Sequence, residues 1–195
     1  MDLYSFVFRG MLVEEALDKV GHKRYSGEES FFSEDLARKL HFDEIDLKYV
    51  EQSKTMLTVF ATITAFENAT REFVYTTLLG SYGAEWWSKG VQNSIREKAQ
   101  NRKDSETKVK WHVNRGDAMM SYLEFGDLPK IIFSQGNWQY FEPYFGFSNA
   151  QEWIRSTFDA IEKSRNVIMH SGVLDDLDIV RIGMNIIDWL HQINA

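Results

Sequence analysis

The stretch "VEQSKTMLTVFATITAFENATREFVYTTLLG", residues 50–80, decides the fold. Val50, Leu57, Phe60, Ile63, Phe66, Phe73 and Leu78 fall on or beside one stripe at the 3.6-residue period of an amphipathic helix. The spacing predicts a helix over 44–80, with Gly80 to Gly83 as its stop. "AEWW" at 84–87 then places two large aromatic side chains where they pack over the helix end.

Working outward, a basic helix is predicted over 88–103, and "NRKDSET" at 101–107 reads as a loop. "GDLPKIIFSQ" opens a short helix, with Asp127 as N-cap and Pro129 in the first turn, where its missing N–H costs little. "NWQYFEPYFGFSN" reads as a packed aromatic connection. A helix over 149–170 turns Trp153, Ile154, Phe158, Ile161 and Ile168 inward. A last helix over 175–193 carries Ile179, Ile182, Ile186, Leu190 and Ile193 on one stripe, with Asp175 and Asp176 complementing the dipole at its start. Upstream, helices over 3–20 and 33–41 flank the polar "GHKRYSGEES". With only Pro129 and Pro143 as prolines and no internal repeat, the chain is expected to be all-α: a helical bundle over 45–195 with an N-terminal helical extension over 1–44.

The 195 residues, 44% hydrophobic and 26% charged, suffice for one globular domain with a core. Cysteine is absent, which excludes disulfides, thiolate metal sites and Cys nucleophiles. The apolar run of the N-terminus is short and broken by Arg9, so neither a signal peptide nor a membrane span is expected, and the cytoplasm is the expected location. The net charge of −7 argues against whole-surface nucleic-acid binding. Residues 89–115 nevertheless carry +5, leaving −12 elsewhere. Arg96, Lys98, Arg102, Lys103, Lys108, Lys110 and Trp111 in that segment are candidate RNA contacts, the lysines and arginines for phosphates and the indole for stacking. A solvated helix and loop is the alternative reading of the same charge run.

No metal-ligand spacing, phosphate loop or GxSxG elbow occurs, so neither a metal nor a cofactor is expected. What remains is "IEKSRNVIMHSGVLDD", residues 161–176, which sets Arg165, Asn166 and His170 at the end of a helix. These are either helix-end capping residues or a small catalytic group. In an unbroken helix Arg165 and His170 point about 140° apart. They serve one site only if the helix ends at His170, for which Ser171-Gly172 supplies the signal, or if two copies meet. A second polar set, Glu67, Asn68 and Arg71, lies beside the stripe of the long helix. Glu67 and Arg71 are either a surface i,i+4 pair or a cleft lining that orients Arg165.

Three ordered blocks, "AFENATREFVYTTLLGSYGAEWW", "YLEFGDLPKIIFSQGNWQYF" and "RNVIMHSGVL" before a final helix, resemble the HEPN superfamily. The nearest likeness is to the subgroup found at the end of an mRNA-surveillance endonuclease and in prokaryotic defence-associated proteins. The resemblance covers residues 45–193. It implies an antiparallel four- or five-helix bundle, a homodimer, and a metal-independent endoribonuclease of toxin or defence type, with Arg165, Asn166 and His170 in a cleft between protomers. The superfamily toxins silenced by nucleotide transfer carry a tyrosine two positions after the histidine, where this chain has Gly172. Other members keep the fold as binding or assembly modules. Three functions therefore stand at this point: a ribonuclease acting on tRNA or mRNA, a non-catalytic RNA- or nucleotide-binding module, and a scaffold that docks a regulatory protein partner.

Overall fold

The computed structural model describes residues 34–134 and 136–194, and the helix expected over 3–20 lies outside them. The chain divides into two compact units, Met1–Asp46 and Leu47–Ala195. In the first, the described residues form α1 (Glu34–Lys39) and a 3-10 turn, Phe42–Glu44.

The second unit is built on α2 (Leu47–Tyr82), about 54 Å long at the standard helical rise. Then come α3 (Trp86–Gly90), α4 (Asn93–Thr107), α5 (Leu128–Ile132), α6 (Trp138–Phe141), α7 (Ala150–Met169) and α8 (Asp176–Ile193). Every described element is helical, so the fold class is all-α. Along α2 the buried positions are Val50, Met56, Val59, Ile63, Phe66, Glu67, Thr70, Phe73, Val74 and Leu78. From Met56 on they follow the i, i+3/i+4 rhythm of a single face packed on α7 and α8 along part of its length and on α5 and α6 along the rest. Leu57, expected on this stripe, is instead exposed, because the packed face runs through Met56 and Val59.

Aromatic rings hold the centre. Trp189 of α8, fully buried, meets Phe66 and Phe73 of α2, Phe158 and Trp153 of α7, and Phe145. It shares the inner face of α8 with Ile182 and Ile186, while Ile179, Leu190 and Ile193 are half-buried at its margin. At the far end of α2, Trp86 packs edge-on to Tyr75, as expected for the "AEWW" aromatics.

Two local expectations change. The 101–107 segment is no loop: α4 continues through Thr107. Gln100 pairs with Asp104, and Arg102 reaches the Tyr122 carbonyl, Glu124 and Asp127, so a polar sequence is held helical by its partners. Asp127 stands at the N-cap position of α5, as expected, but its side chain makes no capping bond there. Its carboxylate is buried, accepts the Glu124 N–H and pairs with Arg102, which closes the preceding turn instead. Asp175, by contrast, does cap α8, accepting the Asp178 N–H at 2.8 Å. Among the described residues, no helix is long and apolar enough to cross a membrane.

Candidate functional site

Glu67 is the organising group. It lies on the packed side of α2 at 7% exposure, and a buried carboxylate requires cationic or hydrogen-bonding partners. It has two. Arg71, one helical turn on, donates from Nη2 to Oε1 at 2.5 Å. Arg165, near the end of α7, brings Nε to 3.5 Å from Oε2. The structure thus joins the polar set of α2 to Arg165.

The two arginines differ in what they have left over. Arg71 is occupied: besides Glu67 it donates to the Leu123 carbonyl at 2.9 Å and, more distantly, to Asn68 Oδ1 at 3.4 Å. Arg165 is held only through Nε, with 35% of its side chain exposed. None of its guanidinium nitrogens makes a hydrogen bond among the described residues, and the Glu67 contact is an ion pair alone. The cluster of one carboxylate and two guanidiniums carries a net positive charge, and its free fork suits an oxyanion.

Asn166 and His170 are both exposed. The helix ends where the sequence suggests, but by a different residue. The Ser171 N–H bonds the Ile168 carbonyl at 3.0 Å and the Gly172 N–H bonds the Val167 carbonyl at 2.8 Å, the two bonds of a Schellman ending. The left-handed position is Ser171, at φ 60°, and not the glycine. Gly172 is required for space: a Cβ there would lie 2.6 Å from Val167 Cγ1 and 2.9 Å from its carbonyl oxygen. His170 is the C-cap residue, its N–H bonded to the Asn166 carbonyl.

The basic segment is divided. Arg102 is committed to Tyr122, Glu124 and Asp127. Arg96 donates to Asn93, and Lys103 donates to the Asp117 carbonyl at 2.9 Å. Lys98, Lys108, Lys110 and Trp111 are exposed. Tyr122 packs beneath this segment. Burial, reinforced by Glu106 and opposed by Arg115, pushes its phenol above the ordinary tyrosine value.

Two grooves lie elsewhere. One of about 600 Å³ between α7 and α8 is lined by Arg155, Asp159, Lys163, Asp178, Arg181 and Asn185 among others. The second, about 480 Å³, shares Arg155 and Asp159 and adds Lys130 and Glu162. Neither takes in Arg165, Asn166 or His170. Among the described residues, no group of three or more His, Asp or Glu side chains is arranged to hold a metal ion.

The sequence gives no sign of the Leu123 carbonyl as Arg71's second anchor, since a backbone oxygen brought by tertiary packing leaves no mark in residue type. No family model, curated protein or solved structure matches the chain.

Proposed function

We propose that this chain is a metal-independent endoribonuclease of HEPN type, cleaving RNA by attack of a ribose 2′-oxygen on the adjacent phosphorus. The observation that carries this reading is the tether of Arg165: its Nε is held by Glu67 while its fork stays open at the helix end that bears His170. The 2′-oxygen bonds to phosphorus as a base takes its proton. The 5′-oxygen then leaves, protonated by an acid, giving a 2′,3′-cyclic phosphate and a 5′-hydroxyl. The open fork of Arg165 suits the non-bridging oxygens as charge builds on them. His170 is the acid or base, since imidazole ordinarily exchanges protons near neutrality. Asn166 holds the phosphate or the imidazole.

One acid and one base are needed, and a two-fold dimer would bring two copies of His170 together. Support for a dimer comes from the outer face of α8. There Leu177, Val180, Met184 and Ile187 are all exposed, at the three-four spacing of an apolar seam.

A second reading, a non-catalytic RNA-binding module, is favoured by one observation. Among the described residues His170 is exposed and no side chain is hydrogen-bonded to its ring, whereas catalytic bases usually have an orienting partner. The deciding experiment is cleavage of total tRNA and a structured mRNA in EDTA, with mass-spectrometric analysis of the ends. Wild type is compared with Arg165→Ala and His170→Ala, each checked for unchanged helicity. Cyclic-phosphate ends from wild type alone are expected. RNA binding that survives in all three proteins without cleavage would replace the enzyme by the binding module.

A further inference from the structure

The segment after α4, "KVKWHVNRG" at 108–116, exposes apolar surface on a braced base. Trp111 is 86% exposed and Val113 87%. Trp is enriched at interfaces, where its ring supplies a large contact face. The loop is nevertheless tied at its return. Arg115 pairs through Nε with Glu106 at 2.6 Å, and its N–H bonds the same carboxylate. Next in the chain, the Gly116 carbonyl accepts the Tyr122 hydroxyl at 3.0 Å, and the Asp117 carbonyl accepts Lys103 Nζ at 2.9 Å. The buried Tyr122 ring serves as a post on which Lys103 and Arg115 also rest. At the tip, His112 meets the indole edge-on, with ring centres 5.6 Å apart, and its N–H bonds back to the Val109 carbonyl. Lys108 and Lys110 precede Trp111, both exposed, and neither makes an ion pair among the described residues.

We infer that this loop is a stacking finger for single-stranded nucleic acid, taking one unstacked base on Trp111 and the neighbouring phosphates on Lys108 and Lys110. The inference deepens the ribonuclease reading and rests on it for the biological ligand being RNA. Charge complementarity selects the ligand, because the tip offers two free cations and no carboxylate in a chain of net charge −7. The lone aromatic face selects the single strand, since bases in a duplex already stack on each other and cannot reach it. The braced base lowers the ordering cost that a floppy loop would add to binding. Trp111, Lys108 and Lys110 would meet base and phosphate, which RNA and DNA share. Single-stranded DNA should therefore occupy the finger without being a substrate for 2′-oxygen attack, and should act as a competitive inhibitor of RNA cleavage.

The test is fluorescence anisotropy with labelled single-stranded RNA, single-stranded DNA and duplex RNA. The proteins are the full-length chain carrying His170→Ala, so that bound RNA stays intact, and the same chain with Trp111→Ala or Trp111→Tyr added. Trp111→Ala is expected to weaken both single strands by roughly ten-fold or more, with Trp111→Tyr restoring most of the loss and the duplex changing less than about two-fold. Lys108→Gln with Lys110→Gln should flatten the log–log salt dependence by roughly 1.4. Equal losses for duplex and single strand, or no loss with Trp111→Ala, would overturn the finger. So would Trp111-dependent binding to phosphatidylserine vesicles without binding to oligonucleotides, which would make it a lipid contact. The two readings fail separately. Trp111-dependent binding by a chain whose wild type never cleaves RNA keeps the finger and removes the ribonuclease, and cleavage with Trp111-independent binding does the reverse.

Discussion

Replacing Glu67 by glutamine tests the centre of the cluster at nearly constant shape. The amide keeps one acceptor for Arg71, but its NH2 then faces Arg165 Nε, donor against donor, and both guanidiniums lose their counter-charge. Removing one partner of a buried ion pair costs about 3–5 kcal/mol. Here the figure is lower, because Arg71 keeps the Leu123 carbonyl and the Arg71 and Arg165 side chains are 20% and 35% exposed to water. A loss of about 2 kcal/mol is expected, which for a domain of this size lowers Tm by about 4–8 °C. Arg165→Met removes only the outer contact at 3.5 Å, a half-solvated pair worth less than about 1 kcal/mol.

The assay is urea unfolding followed by far-UV circular dichroism for both variants and their combination, alongside cleavage measured well below each midpoint. Glu67→Gln should weaken cleavage while the chain is still fully folded, because Arg165 loses its tether. If Arg165→Met costs as much stability as Glu67→Gln, Arg165 is a structural strut with no free fork, and the reasoning fails. A Glu67→Gln protein as stable as wild type would equally refute it, since the carboxylate would then not be organising the cluster.

Thr70 is fully buried and its hydroxyl has no hydrogen-bond partner among the described residues, so Thr70→Val should raise stability by about 1 kcal/mol in the same urea assay. A loss instead would mean that the hydroxyl is satisfied in the folded chain. Gly172→Ala pushes a methyl against Val167 and should cost about 1–3 kcal/mol; a melting temperature equal to wild type would show that the helix ending can give way. Burial and Glu106 raise the Tyr122 phenol in the folded chain, so the unfolded chain releases its proton first as pH rises. The associated stability is complete below the ordinary tyrosine value of about 10 and falls above it. Tyr122→Phe should flatten that alkaline decline in a series of urea midpoints, and an unchanged slope would refute the assignment.

The long helices were legible because their apolar period is clean and few prolines interrupt it. Register was harder. Met56, Leu57, Val59 and Phe60 give α2 two neighbouring apolar faces, and only the partner helices select the one through Met56 and Val59. The 101–107 segment misled for the opposite reason: its polar composition suits a loop in isolation, while Arg102 finds three partners that only the tertiary fold brings near. The same limit applies at the candidate site. Spacing within α2 shows that Glu67 can reach Arg71, but nothing in spacing joins Glu67 to Arg165, nearly a hundred residues later. Long-range pairs of this kind come from packing, and sequence reading reached this one only as an alternative to a surface ion pair.

Arg165 and His170 are five positions apart, and a continuous helix would set them about 140° from each other. The fold fixes each by a separate device. Arg165 pairs with a buried carboxylate of α2, and His170 is the C-cap residue of α7, followed by a Schellman turn that needs Gly172 against Val167. The two devices share no residue. If both groups act on one phosphate, loosening either one should cost cleavage beyond its cost in stability, through different steps. Glu67→Gln would weaken stabilisation of the phosphorane charge, and Gly172→Ala would misplace the proton-transfer group. A shift in the pH–rate profile should therefore accompany Gly172→Ala and be absent from Glu67→Gln. Identical profiles for the two variants would mean that the helix end is only a helix end.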